Sequence, residues 1–242
     1  MSAAADAPTE RFRREVTSFV RRSRRMTPGQ RRAWDAYAQH WVLDVPRAAT
    51  STSVASGVRL DPAQIFGRTA PLIVEIGPGH GDSLVPMAKA RPEANVLAFE
   101  VYQPAIAALL NRLDMEDVDN VRLVVANAVD GLKALPSASI DRLWMFFPDP
   151  WHKARHRKRR LLTPAFVDLA ADRMKPGGVW RLATDWADYA GQMRDVLDDH
   201  PAFANDSPSG WAPRWASRPV TRFERRGIEA GRRIFDLAYR RR

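Results

Sequence analysis

The sequence predicts an α/β fold, a doubly wound and mostly parallel sheet, and three observations carry that prediction. Short apolar runs recur from residue 72 onward, at 72–76, 96–101, 121–126, 143–147 and 179–183. Their length suits strands buried on both faces. Stretches with helical patterning alternate with them, as crossover connections between parallel strands require. The first run ends in a glycine-rich turn, Gly77-Pro-Gly79-His-Gly81, where an open sheet of this kind holds its ligand.

The elements follow in chain order. Residues 1–10 are small and polar, and the sequence predicts partial disorder there. Over 10–22, Phe12, Val16, Phe19 and Val20 share one helical face among arginines. An Arg-rich amphipathic N-terminus is also the pattern of an organellar transit peptide, but Asp6, Glu10 and Glu15 argue against one. Residues 1–32 are therefore assigned to a basic N-terminal arm and 33–242 to the main domain. Helices are predicted over 83–90 and 103–113, with a weaker one over 129–135. Another is predicted over 164–174, with Thr163 at its N-cap, Pro164 in its first turn and Gly177-Gly178 past its end. A further helix is expected over 186–197. Four prolines, a glycine and two tryptophans make 201–219 an irregular loop, and 234–239 reads as a last strand, antiparallel or at the sheet edge. No internal repeat is present.

Composition narrows the function. The 242 residues are 45% hydrophobic and 27% charged, which excludes collagen-like and wholly disordered chains. No apolar run approaches the ~18 residues of a spanning helix, so no membrane association is expected and a cytoplasmic location is. The absence of cysteine excludes disulfides, zinc-thiolate sites, iron–sulfur clusters and thiol catalysis. Five scattered histidines leave little for a metal site, and none is assigned. The net charge of +10 is unevenly spread: nine Arg against three acids over 1–32, nine basic against fourteen acidic residues over 33–150, and ten against three over 214–242. An acidic middle with cationic ends suits a polyanionic partner.

Three motifs carry chemistry. Glu75-Ile-Gly77-Pro-Gly79-His-Gly81 places alternate glycines where the backbone must turn tightly and approach a ligand. A dinucleotide fingerprint requires glycine where Asp82 stands, so a nicotinamide or flavin cofactor is disfavoured. An acid two residues before the first glycine instead suits a ligand with a cationic amino-acid end, and the pattern resembles the S-adenosylmethionine loop of Rossmann-like class I methyltransferases. The plainer alternative is a strand-to-helix turn. Glu100 closes the second run and is placed to accept hydrogen bonds from ribose hydroxyls. Asn127-Ala128 follows the third run, where an amide could meet an adenine amine or simply form a turn. After the fourth run comes Phe146-Phe-Pro-Asp149-Pro150-Trp151-His-Lys153, then Arg155, Arg157, Lys158, Arg159 and Arg160. Prolines stiffen the turn around Asp149, Trp151 offers a face for base stacking, and the basic run reads as a phosphate-binding rim on a loop.

The segment Phe147-Pro-Asp-Pro-Trp-His-Lys153 with Arg159-Arg160-Leu161 resembles the signature of the bacterial tRNA (guanine-N7-)-methyltransferases. Arg25-Met26-Thr-Pro-Gly-Gln30, Ala183-Thr-Asp185-Trp and Thr221-Arg-Phe-Glu224-Arg-Arg-Gly227 resemble further elements of that family, so the likeness spans nearly the whole chain. It implies that Glu75, Gly77, Gly79, Gly81, Glu100, Asn127, Ala128 and Asp149 contact S-adenosylmethionine. It implies that Asp149 is catalytic and lies beside the methyl donor, and that Lys153, Asp185, Thr221, Arg222, Phe223 and Glu224 contact tRNA. Many members carry Asp where this chain has Asn127, which implies altered cofactor contact. Thr-x-x-Glu is equally a helix capping-box pattern. Guanine N7 has a lone pair and no proton to lose, so methylation needs alignment rather than a strong base. A carboxylate at Asp149, joined by Asp185 or Glu224, would stabilise the developing cation and accept from guanine N1–H and the 2-amino group. Two other readings stand beside this one: a methyltransferase acting on a different RNA or on a protein, and a non-catalytic RNA-binding module. Monomer and homodimer are both open.

Overall fold

The computed structural model describes residues 25–242. The first 24 residues of the basic arm, with the amphipathic 10–22 face, lie outside the described residues. Seven strands form one sheet: β1 (Leu72–Ile76), β2 (Asn95–Glu100), β3 (Val121–Val125), β4 (Ile140–Phe146), β5 (Met174–Thr184), β6 (Phe203–Asn205) and β7 (Phe235–Arg241). Their order is β3-β2-β1-β4-β5-β7-β6. The first five run parallel to one another, and β7 runs antiparallel to β5 and β6. The chain therefore has the doubly wound, mostly parallel sheet that the sequence predicts. All five residues of β1 are buried because both faces of the sheet are covered at its centre.

Helices α1 (Pro28–Trp41), α3 (Leu84–Lys89) and α4 (Gln103–Met115) pack on one face, with Trp41, Leu84, Ile106 and Leu110 in a core with Ile73, Val96 and Trp144. Helices α5 (Ala128–Lys133), α6 (Pro164–Arg173) and α7 (Ala187–Asp198) pack on the other. There Leu132, Phe166, Tyr189 and Met193 meet Val74, Leu143 and Trp180. A five-residue helix, α2 (Pro62–Phe66), precedes β1, and α8 (Arg222–Glu229) precedes β7. The weaker 129–135 helix is thus real, as α5.

Three features differ from the sequence expectation. Helix α1 was not foreseen; Ala33 and Trp41 are its only buried residues, too few for a visible period. Its signal was local: Thr27 and Gln30 form a reciprocal capping box, with Gln30 N donating to Thr27 Oγ1 at 3.2 Å and Thr27 N to Gln30 Oε1 at 2.9 Å. Pro28–Arg32, counted with the arm, are the start of this helix, and Gln30 Nε2 donates to Pro104 O of α4. The last strand is antiparallel, one of the two expected placements, but the expected 201–219 loop contains a further strand, β6, which pairs outside it. The basic run is not a loop but a short 3-10 helix over Ala154–Arg159.

Candidate active site at the strand tips

Glu75, Glu100, Asn127, Asp149 and Asp185 come from β1 to β5 in turn, and all sit at the carboxyl ends of those parallel strands. That end of an open α/β sheet is where the crevice forms.

Glu75 is 1% exposed. Its Oε1 accepts from Ser83 Oγ at 2.7 Å, while the buried Oε2 has no partner. An ionised carboxylate so placed has lost its hydration without full replacement. Burial therefore pushes Glu75 up to about 8; the Ser83 hydroxyl opposes the shift and the nearby Glu100 adds to it. The folded state thus holds a proton that the unfolded chain, with its ordinary value of 4.5, has released. Stability from this group is complete below about pH 4.5 and falls as pH rises to about 8, by up to about 1.4 kcal/mol per pH unit. Glu75→Gln removes this dependence. In ligand-free protein its melting temperature should gain on the wild type steadily from pH 5 to pH 8 in scanning calorimetry; parallel curves would contradict the shift.

Glu100 is organised by backbone. Its Oε1 accepts from Val101 N and Tyr102 N, both at 2.8 Å, and its Oε2 from Gly79 N at 3.1 Å. Burial raises its pKa, the three N–H donors pull it back, and Asp149 adds a repulsive push. The bond to Gly79 ties the glycine turn to β2. An added Cβ at Gly77 or Gly79 would meet nothing, so both residues border open space. At Gly81 a Cβ would lie 2.1 Å from Leu109 Cδ1, and φ is +77°. Gly81→Ala should cost about 2–4 kcal/mol from overpacking and backbone strain, read as a lowered urea midpoint; an unchanged midpoint would show that α4 yields.

Asn127 is the N-cap of α5. Its Oδ1 accepts from Asp130 N at 2.9 Å, and its Nδ2 donates to Thr52 O and Asp130 Oδ2. Both amide hydrogens are spent, so only the oxygen retains capacity toward a ligand. Ala128 is buried behind it as the first helical residue.

Asp149 lies exposed at the tip of the turn after β4. Phe147 and Trp151, on either side of Pro148-Asp149-Pro150, have φ of +51° and +46°. Non-glycine residues in this region cost energy and persist only when their surroundings hold them. Phe147 N donates to Ala183 O at 2.7 Å, and the Arg218 guanidinium lies 5.4 Å from the Phe147 ring centre. On the other side, Arg160 Nε donates to Pro150 O at 2.8 Å. Arg160 corrects the sequence reading. It is buried, not part of a phosphate rim, and also binds Gln192 and Asp188 over the Tyr189 ring. Trp151 is likewise less free than expected, since Arg159 lies 5.0 Å from its ring centre. Lys153, Arg155, Arg157 and Lys158 remain exposed; Arg157 pairs with Asp188.

The C-terminal motif converges on the same crevice by contacts that sequence spacing could not reveal. Thr221 Oγ1 caps α8 through Glu224 N at 3.2 Å. Arg222 binds Asp82 of the glycine turn with its backbone N, Nε and Nη2, and its Nη1 lies 2.6 Å from His80 Nδ1. Gly227 packs against Asp185, whose Oδ2 accepts from Arg232 Nε at 2.8 Å. Phe223 is exposed. Glu224, which the family resemblance implies as a substrate contact, sits inside an ion network. It is fully buried, and its oxygens accept from Arg214 and Arg218, with Arg218 also binding Asp236. Asp82, Ser83, Arg214, Arg218 and Asp236 carried no local signal.

The arrangement brings together a glycine turn bordering open space, the buried Glu75 carboxyl with one oxygen unpartnered, the nearby Glu100 carboxyl, and Asp149 within electrostatic reach of Glu100. A family model described as "Putative methyltransferase" matches residues 69–237. A tRNA (guanine-N(7)-)-methyltransferase from Cutibacterium acnes is 52% identical, covering 100% of this chain and 88% of the relative. Enzymes of the same name from Nocardioides sp. and Methylococcus capsulatus are 51% and 44% identical, covering 95% and 94% of this chain and 88% and 95% of their own lengths. The chain therefore belongs to the tRNA (guanine-N(7)-)-methyltransferase family.

Proposed function

We propose that the protein transfers a methyl group from S-adenosylmethionine to N7 of a guanine in tRNA, in the variable loop as the family resemblance implies, and that it does so in the cytoplasm. The observation that carries this reading is the buried, unpartnered Glu75 Oε2 beside an open glycine cradle and within electrostatic reach, through Glu100, of Asp149. Those residues fit the cofactor: Glu75 Oε2 suits its ammonium, Glu100 retains acceptor capacity for ribose hydroxyls, and the Asn127 oxygen retains a lone pair for an adenine amine. When bound, S-adenosylmethionine supplies a methyl group already activated on a sulfonium.

The chain's own residues do the rest. Asp149, held by the strained turn, accepts from guanine N1–H and the 2-amino group and fixes N7 in line. Its charge stabilises the cation that develops on the base. Adenine has neither donor at those positions, so the same contacts select guanine. Lys153 and the exposed cations after it bind phosphate, and α8 sets Asp185 against the crevice. Incubating the protein with S-adenosylmethionine and unmodified tRNA, then analysing nucleosides by mass spectrometry, should give 7-methylguanosine; tRNA carrying 7-deazaguanosine at the site should give none. A methyl group on another atom would favour a different RNA methyltransferase, and no mass change would favour a non-catalytic RNA-binding module.

A further inference from the structure

Behind the crevice, the β4–β5 region of the sheet face that carries α1, α3 and α4 holds a second cationic site. Trp144 of β4 packs there on Trp215 from the irregular chain before α8, at 5.6 Å between ring centres. The Trp215 ring has the guanidinium of Arg181 at 4.6 Å and that of Arg91 at 5.3 Å from its centre. Arg181 stands on β5 opposite Trp144, and Arg142, exposed, is two residues before Trp144 on β4. Burial lowers the pKa of both Arg91 and Arg181, and in both the next cause is repulsion from Arg142. Arg240 of β7 adds to the repulsion on Arg181.

This concentration of charge is not neutralised. Among the described residues, Arg91, Arg142 and Arg181 make no ion pair, and Arg181 Nε is buried without a hydrogen-bond partner. The carboxylates that favour the charged form of Arg181, Asp206 and Asp236, are already bound by Arg240 and Arg218. Glu93 has the corresponding influence on Arg91 without pairing to it. Arg91 Nη1 donates to Met87 O at 3.0 Å, which leaves the rest of its fork open. Two guanidiniums on one indole, with a third beside them and most of their donors unspent, form a ready receptor for phosphate oxygens. Arg142 is exposed and Arg91 and Arg181 are half-buried beside it, a row of cations along the sheet that suits a polymer backbone better than a small anion. Arg142 is four residues before the end of β4, about 13 Å at ~3.3 Å per residue. An RNA arm whose base enters the crevice can lay its backbone across that distance.

We propose that Arg91, Arg142 and Arg181 form a second phosphodiester-binding site for the tRNA backbone, separate from the cations that follow Asp149. This rests on the reading of tRNA as the substrate. The test uses the full chain and compares the wild type with Arg142→Glu and the milder Arg142→Gln. For each, the Kd for unmodified tRNA is measured as a function of KCl, together with KM for tRNA, the melting temperature and S-adenosylmethionine affinity. Arg142→Glu should weaken tRNA binding about tenfold and reduce the slope of log K against log[KCl] by about 0.7–0.9 for each phosphate no longer neutralised. Arg142→Gln should do the same to a smaller degree. The melting temperature should hold or rise, because a repulsive charge is removed, and S-adenosylmethionine affinity should not move. An unchanged tRNA affinity and salt slope in both variants would overturn the proposal. So would micromolar binding of tripolyphosphate that Arg142→Glu abolishes, which would mark a small-anion site. A wild-type protein that binds tRNA through this patch yet leaves it unmethylated would instead refute the catalytic reading and leave the patch standing.

Discussion

Asp149→Ala should lower kcat/KM for tRNA methylation by roughly 10²–10³-fold or more, with S-adenosylmethionine affinity by calorimetry largely kept. The carboxylate is exposed at the tip of a turn whose flanking residues are strained and anchored from both sides, so its removal takes away a positioned charge without collapsing the turn. The loss should fall mainly on kcat, because the interaction strengthens as the base becomes cationic, with a smaller rise in KM from the lost contacts to neutral guanine. Loss of S-adenosylmethionine binding in parallel with activity would make Asp149 a cofactor residue instead, a role compatible with its influence on Glu100.

Glu224→Ala should cost about 3–5 kcal/mol of folding stability, the range for removing one partner from a buried ion network. Glu224 and Arg218 are both fully buried, and Arg218 bridges Glu224 Oε2 at 2.7 Å to Asp236 at 3.0 Å. Without Glu224, Arg214 loses the ion pair it makes among the described residues, and Arg218 keeps the one to Asp236. The change would appear as a lowered urea midpoint with an unchanged m value, and as a weakened hold of α8 on the crevice. A variant as stable as the wild type, with only its tRNA affinity reduced, would return Glu224 to the direct substrate role implied by the family resemblance.

The difference between what was and was not legible in the sequence has a physical cause. Strands β1 to β5 were legible because each is a short apolar run bounded by turn residues, and Glu75, Glu100 and Asp149 because each follows directly from where its strand ends. Even α5, with a weak pattern, lay where a crossover was needed. Helix α1 was not, because its buried side is only two residues wide and its capping box was legible only as part of a family motif. The internal contacts of Arg160, Arg222 and Glu224 were hidden from the sequence for a common reason. An arginine or glutamate in a charged run looks solvated, yet each of these is bound to carboxylates, carbonyls or guanidiniums brought together only by the fold. The Arg222–Asp82 contact spans 140 residues and has no local trace. Conversely, the unpartnered Glu75 oxygen that best indicates a ligand is a property of burial and cannot be read from its neighbours in the chain.

The most direct measurement is a crystal structure with S-adenosylhomocysteine bound. The ligand's amino group is expected within hydrogen-bond distance of Glu75 Oε2, its ribose on Glu100, and its sulfur facing Asp149. Density for the ligand away from the tips of β1 and β2, with Glu75 Oε2 still unpartnered, would contradict the assignment.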